Sequence, residues 1–575
     1  MKRSVKGIIA ILWMMAIVSV AQNNPVIANP IDLNYRFQSA DQGNYRREAA
    51  DPVCEYFKGK YYLFVSKSGG YWSSEDLANW TYIPCSTIST IENYAPTILI
   101  LGDEMYFMSS WRPSKIYKTT NPDLDDWQLI DTKFDYQTIS TQDPAFFLDD
   151  DGRVYIYWGC SDKYPIMGVE VDPSDGFSML GQPKALIEHH YAEYGWEEKG
   201  ENNHLDRDGY NEGPCMIKIS SKYHLQYAAN GTQFRTYADG TYVADEPLGP
   251  FTYEETSPFS IKPGGFIGGA GHGHTFKDKF GNFWHVATMR ISVRHPFERR
   301  IGLFPSYLTK YGTFHSHTVL TDLPFEVPQQ KVDFETHGFG TGWWLLSYGK
   351  HSAASSFMDG FEHFKANDEM IESWWSAQSG DVGEWWQVDL GEQMRVNAIQ
   401  INFADHDFNK TDRNSYVYYQ YLVECSDDGV YWRRIVDKSA NTADRPHELV
   451  VLESPIYTRF LRIINGRKLE GKFSMYDFRV FGNGLGDSPD PVSGFAVERG
   501  VNRKRFQFKW KKTEDAIGYI INWGVKRDLM FNSVMVINQD QFEAGYFNNN
   551  SPYFFSLDSF NENGITKGET VIVIE

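Results

Sequence analysis

Asp51-Pro-Val-Cys-Glu-Tyr-Phe-Lys-Gly-Lys-Tyr-Tyr-Leu-Phe-Val65 is a short strand, a polar turn and an aromatic strand, and the unit recurs. It returns as Ala95-Pro-Thr-Ile-Leu-Ile100 with Glu104-Met-Tyr-Phe-Met108, and as Asp143-Pro-Ala-Phe-Phe147 with Arg153-Val-Tyr-Ile-Tyr157. Glu212-Gly-Pro-Cys-Met216 with Tyr223-His-Leu-Gln-Tyr227, and His272-Gly-His-Thr-Phe276 with Asn282-Phe-Trp-His-Val286, complete five copies. The openings lie 44, 48, 69 and 60 residues apart, which matches the ~40 to 50 residues of a four-stranded repeat plus insertions.

Outward from each hairpin the rest of the unit repeats too: Tyr71 to Trp80 resembles Tyr117 to Trp127. Five such units over residues 24–328 predict an all-β, five-bladed β-propeller. The first strand of each blade lines the central channel, so the opening positions Asp51, Ala95, Asp143, Glu212 and His272 converge at one face. A lone Asp before Pro is a turn residue. Three carboxylates at one repeat phase are different, because they raise one another's pKa at a cost in stability and point to a use.

Cleaving a glycosidic bond needs a proton donor for the leaving oxygen and a carboxylate opposite it. A third acid holds the donor in place and tunes it by proximity; Glu212 has the longer reach of a donor. The order Ala50-Asp51-Pro52, Gln142-Asp143-Pro144, Asn211-Glu212-Gly213-Pro214 resembles glycoside hydrolase family 43, over about Asn24 to Pro328. The resemblance implies an inverting reaction with Asp51 as general base, Glu212 as general acid and Asp143 as the positioning, pKa-modulating acid. Inversion in turn implies carboxyls ~6.5 to 9.5 Å apart, leaving room for water. Gly269-Ala-Gly-His272-Gly-His274 resembles the family's Gly-x-Gly-His element, whose His lines the channel and in some members touches calcium or water. His272 is therefore a candidate substrate and metal contact.

Tyr94, Trp111 and Trp158, beside the openings, are candidate sugar-stacking residues. Arg299 and Arg300 end the last blade, where a basic residue reaches a hydroxyl or a channel carboxylate in some relatives; Arg300 is taken into the substrate-binding set. The insertion from His189 to Tyr210, with Trp196, Glu197, Glu198 and His204, precedes Glu212 and is placed to wall the pocket.

Met1-Lys2-Arg3, the apolar run Gly7 to Val20 and Ser19-Val20-Ala21 read as a signal peptide over residues 1–21, hence export to the periplasm or medium. The apolar run falls short of the ~20 residues a membrane span needs, and no later stretch reaches them. A formal charge of −20 repels phosphate backbones, so nucleic acid is excluded as a partner. Five Cys is an odd count; Cys54, Cys160 and Cys215 sit in apolar strands where a thiol simply packs, and no disulfide framework or Cys metal site is expected.

After Pro328 the sequence turns Gly-rich, then gives Trp374-Trp375-Ser-Ala377, Trp385-Trp386-Gln-Val-Asp-Leu-Gly391 and Cys425-Ser-Asp-Asp-Gly-Val-Tyr-Trp432. These resemble the discoidin, or coagulation-factor type C, domain, akin to carbohydrate-binding module family 32: a jelly-roll β-sandwich over residues 340–484. The resemblance places Trp374, Trp386 and Trp432 in its core. It also allows a structural calcium near Asp359 to Ser373 and Asp477, as it does in the propeller channel, while no cofactor is needed for turnover. Beyond the linker Gly484 to Pro491, Phe506-Gln-Phe-Lys-Trp510 and Gly518-Tyr-Ile-Ile-Asn-Trp523 resemble a fibronectin type III β-sandwich over residues 488–575, read as a spacer without chemistry.

The resulting expectation is an exo-acting hydrolase of oligo- or polysaccharides, an α-L-arabinofuranosidase or β-xylosidase first and a β-galactofuranosidase as the alternative. A non-catalytic carbohydrate-binding propeller is disfavoured by the three intact acids. A retaining, sucrose-cleaving propeller is disfavoured by the absence of its Asn-Asp-Pro nucleophile motif.

Overall fold

In the computed structural model, which describes residues 24–38, 45–134, 142–408 and 415–575, each of the five repeats closes into its own antiparallel sheet. The first runs Val53–Phe57, Lys60–Phe64, Gly70–Ser74, Thr81–Pro84 in sequence order; the second runs Thr97–Leu101, Glu104–Met108, Tyr117–Thr119, Gln128–Leu129. The third opens on Ala145–Leu148, the fourth on Tyr210–Ile219 and the fifth on Gly268–Lys277. The leader read at residues 1–21 lies outside the described residues, and no helix among those described is long and apolar enough to cross a membrane.

The aromatic second strands explain how the sheets hold together. Successive side chains of a strand face opposite sides, so each blade offers large rings to both neighbours. Phe64 and Tyr71 of the first sheet meet Phe107 and Trp127 of the second; Tyr61 and Trp72 share a cluster with Phe276 and Trp284 of the fifth, closing the ring. Most of the aromatic enrichment is thus spent on packing, at about 1.5–3 kcal/mol per buried large side chain. Val26–Ile27 pairs with Phe325–Glu326, tying the start of the propeller to its end.

The second module has an eight-stranded sheet built on Trp385–Phe403, His447–Asn465 and Ser474–Asn483. Trp375 and Trp386 are fully buried in its core. Trp374 and Trp432, expected there, are only half-buried: Arg294 of the propeller lies over Trp374, and Arg462 over Trp432. The third module is a β-sandwich of two sheets. One is Ser493–Arg499, Phe506–Lys511, Gln541–Ala544; the other is Asn532–Ile537, Gly518–Gly524, Tyr553–Asn561 with two short edge strands.

Candidate active site

The opening residues share an unusual backbone. Asp51, Ala95, Asp143 and His272 have φ of 51°, 48°, 51° and 46°, the left-handed region that L-residues avoid and that is harder still before proline. In the fourth sheet the residue before proline is Gly213, with φ 57°. The repeat phase therefore runs Asp51, Ala95, Asp143, Gly213, His272. Glu212, aligned with Asp51 in the sequence, stands one residue earlier, where the ladder shifts register between Glu212 and Cys215.

Left-handed openings at the channel leave amide groups that need partners away from water. Each neighbouring blade supplies one. Thr288 Oγ1 accepts from the Asp51 amide at 2.8 Å, Ser66 Oγ from Ala95 at 2.8 Å, and Ser110 Oγ from Asp143 at 2.9 Å. Asp239 accepts from both His272 and Gly273, at 2.8 and 2.9 Å. The strained positions are thus fixed by bonds between blades, and the acids inherit that rigidity.

Asp51, Asp143, Glu212 and His272 all line one cavity of about 720 Å³, within the size range of ligand pockets. His272 Nδ1 lies 3.3 Å from Asp51 Oδ1 and 3.7 Å from Asp143 Oδ2. Arg299 donates to Asp51 at 3.2 Å and to Glu48 at 2.7 Å, and Ser66 donates to the other Asp51 oxygen. Glu212 accepts from the Tyr237 hydroxyl at 2.5 Å and from the Cys160 thiol at 3.1 Å.

Electrostatics separates the two aspartates. Burial pushes the Asp51 carboxyl up, but Arg299, His272 and the Ser66 hydrogen bond outweigh it and hold it below the usual aspartate range. Asp143 has no such cation of its own. Burial, then the charges of Glu212 and Asp51, push it up to about 7 against the pull of His272. Asp51 is thus held ionised while Asp143 is pushed toward its protonated form, the asymmetry that acid–base cleavage needs. For His272, burial works against the charged ring, yet the carboxylates around it raise its pKa overall.

One ligand atom each from Asp143, Cys160 and Glu212 lies within 4.8 Å of the others. This set does not fit calcium, which takes six to eight oxygens: it offers a thiol that burial keeps protonated. His272 Nδ1 faces Asp51 and Asp143, whose charges raise its pKa. In the second module Glu369 is held by Arg479 at 2.9 and 2.5 Å, and Asp477 accepts the Glu369 amide at 2.9 Å, so a guanidinium is the cation nearest the acids proposed there for calcium.

Tyr94 and Trp111 line the cavity as expected, with Trp111 44% exposed. Trp158 does not: it is 1% exposed, edge-on to Phe134 in the core between the second and third sheets. Arg300 is also displaced. Neighbours on a strand point to opposite faces, so Arg299 turns to the channel while Arg300 bonds His447 of the second module at 2.7 Å. Cys160, read as simple packing, is in the pocket beside Glu212. From the insertion, Lys199 and Tyr210 reach the cavity, while Trp196, Glu197 and Glu198 are buried behind it and His204 is exposed. Phe297, Gln142, Thr232 and Gln233 also line it; of these only Gln142 lies in a motif, beside Asp143. All five cysteines are free thiols.

Residues 45–314 match the model of glycosyl hydrolases family 43, and residues 350–477 match the F5/8 type C domain. The chain is similar to a β-D-galactofuranosidase of Aspergillus niger, 24% identical over 265 residues covering 39% of this chain and 68% of that protein. It is similar to a β-xylosidase of Xylanibacter ruminicola, 30% identical over 129 residues covering 20% and 39%. Lactadherin of Sus scrofa is 39% identical over 98 residues, 16% of this chain and 23% of that protein, so the chain spans under a quarter of that relative. A solved glycoside hydrolase superposes with a TM-score of 0.45 at 18% identity, over 75% of this chain and 97% of that one.

Proposed function

We propose that this chain, which carries a glycosyl hydrolases family 43 domain followed by an F5/8 type C domain, is an exported, inverting, exo-acting glycoside hydrolase that releases terminal arabinofuranose or xylose. The observation that carries the reading is the split pair of aspartates at one pocket: Asp51 held ionised by Arg299, Asp143 raised to about 7, with Glu212 within reach of Asp143.

In this reading the Asp51 carboxylate takes a proton from the attacking water. Glu212 gives a proton to the leaving oxygen, with Tyr237 and Cys160 fixing the orientation of its carboxyl. Asp143 sits beside Glu212 and holds the donor in position. Tyr94, Trp111 and Phe297 supply faces on which a sugar ring stacks, and Gln142, Thr232 and Gln233 supply hydrogen bonds for its hydroxyls. No cofactor enters the chemical step. The third module is taken as fibronectin type III-like, its strands falling into sheets of three and five.

The test is hydrolysis of aryl α-L-arabinofuranoside, β-xyloside and β-galactofuranoside, with the product anomer followed by NMR. The galactofuranoside belongs in the panel because the Aspergillus niger relative is named for that sugar. Inverted product from the arabinofuranoside or xyloside, lost in Asp51→Asn, supports the reading; retained configuration, or turnover that survives in Asp51→Asn, contradicts it.

A further inference from the structure

The insertion that brings Lys199 and Tyr210 into the pocket is held from outside by the third module. Lys504, on the turn between Ser493–Arg499 and Phe506–Lys511, is 5% exposed. Its ammonium pairs with Glu198 Oε2 at 2.5 Å and donates to the Tyr191 carbonyl at 3.0 Å. Glu198 is buried, and its other oxygen accepts from the Asp206 amide at 2.7 Å, so the same carboxylate closes the insertion on itself. Lys199 is the next residue, and its amide donates to the Arg207 carbonyl.

The contact continues along the backbone. The Gly195 amide donates to Phe547 O at 3.1 Å, and the Asn549 amide to Glu193 O at 2.7 Å. Asn202 accepts from the Gly545 amide at 3.1 Å and donates to Glu543 O at 3.2 Å. The fit leaves no slack: a Cβ on Gly195 would stand 2.4 Å from Phe547 O, and one on Gly545 2.3 Å from Asn202 O. A long irregular segment is otherwise at the low-stability end of a structure. A buried lysine–glutamate pair is costly to desolvate and carries weight only when its geometry is complete.

We propose that Lys504 is a positioning residue for the pocket: through Glu198 it sets where Lys199 stands against the Tyr210 ring, so the third module takes part in substrate binding instead of acting as a spacer. This rests on the hydrolase reading above. Asp51 and Asp143 are held by blade-to-blade bonds and Glu212 by Tyr237 and Cys160. Loosening the insertion therefore falls on sugar binding more than on the chemical step.

The experiment compares full-length wild type with Lys504→Met, Lys504→Arg and Asn202→Ala by hydrogen exchange over residues 188–209 and by steady-state kinetics. Lys504→Met is expected to speed exchange across the insertion and raise KM about tenfold, since small misplacements of binding groups cost one to two orders of magnitude, with kcat held within about twofold. Lys504→Arg keeps the charge and moves both readouts back toward wild type. Asn202→Ala, a milder change at the same contact, shifts them in the same direction by less and stands in if Lys504→Met does not fold. Faster exchange with unchanged KM, unaltered exchange, or a fall in kcat alone overturns the proposal. A wild type that hydrolyses no glycoside overturns the hydrolase reading instead, and exchange together with the Kd for free arabinose and xylose then decides the clamp by the same pattern.

Discussion

Arg299 decides which pocket acid is charged. Together with His272 and the Ser66 hydrogen bond it outweighs burial at Asp51, so the proposed base stays ionised from neutrality down to below the ordinary aspartate range, and the acid limb of kcat/KM is expected there. Arg299→Met removes that cation: the limb is expected to move up in pH, and the loss of one partner from a buried ion network to cost about 3–5 kcal/mol. A pH–rate profile with a melting curve checks both. Asp143 titrates the other way. Its proton is held below about 7 and lost as pH rises through it, so activity that draws on that proton falls on the alkaline side near neutrality; in Asp143→Asn that limb is expected to leave this range. Asp51 and Asp143 were legible in the sequence because chemistry and repeat phase coincide at them, and Glu212 because it lies one residue from that phase. Arg299 was not separable from Arg300, since two adjacent residues on a strand differ only in the face they take, and only the register with Phe283–Arg290 fixes that.

The left-handed opening is the element on which the site is built. Gly213 supplies it in the fourth sheet, and a Cβ there would stand 2.4 Å from the His272 ring. Gly213→Ala is expected to lower stability by about 1–3 kcal/mol from backbone strain alone and to displace His272 from Asp51, so Tm and kcat fall together; a variant with wild-type kcat contradicts this placement. Ser110→Ala leaves the buried Asp143 amide without its acceptor, a loss of about 1–3 kcal/mol, measured by denaturant unfolding. Ser66 and Ser110 follow their openings, Asp51 and Ala95, at the same interval, so this signal was present in the repeat. Its meaning was hidden because the partner amide lies in the next blade, and sequence repeats show equivalence, not contact. The one-residue offset of Glu212 was hidden for a similar reason: aligning the prolines puts Gly213 at the Asp51 position, while aligning the acids puts Glu212 there.

At the scale of the whole molecule the three modules meet through buried charge. Arg47 of the propeller pairs with Asp405 at 2.6 Å and Asp444 at 2.8 Å in the second module, all three buried. Arg294 bonds Tyr476, and Tyr476 reaches Glu298, one residue from the pocket's Phe297. Arg47→Ala strands two carboxylates and is expected to cost about 3–5 kcal/mol. Calorimetry is then expected to show the propeller and second module melting as separate transitions where wild type shows them joined. The sequence announced the modules through their core tryptophans and alternating strands, but not their docking. Arg47, Arg294 and Lys504 look like ordinary surface cations until the partner surface is in place, and Trp374 reads as core because the arginine that covers it belongs to another module.

The assignment of Glu212 as proton donor is tested most directly by comparing Glu212→Gln with wild type on two substrates of one sugar, an alkyl glycoside with a poor leaving group and a dinitrophenyl glycoside that needs no protonation. A loss of about 10³-fold or more in kcat/KM is expected on the first and a far smaller loss on the second, because only proton donation has been removed. Equal losses on both would place the proton elsewhere and contradict it.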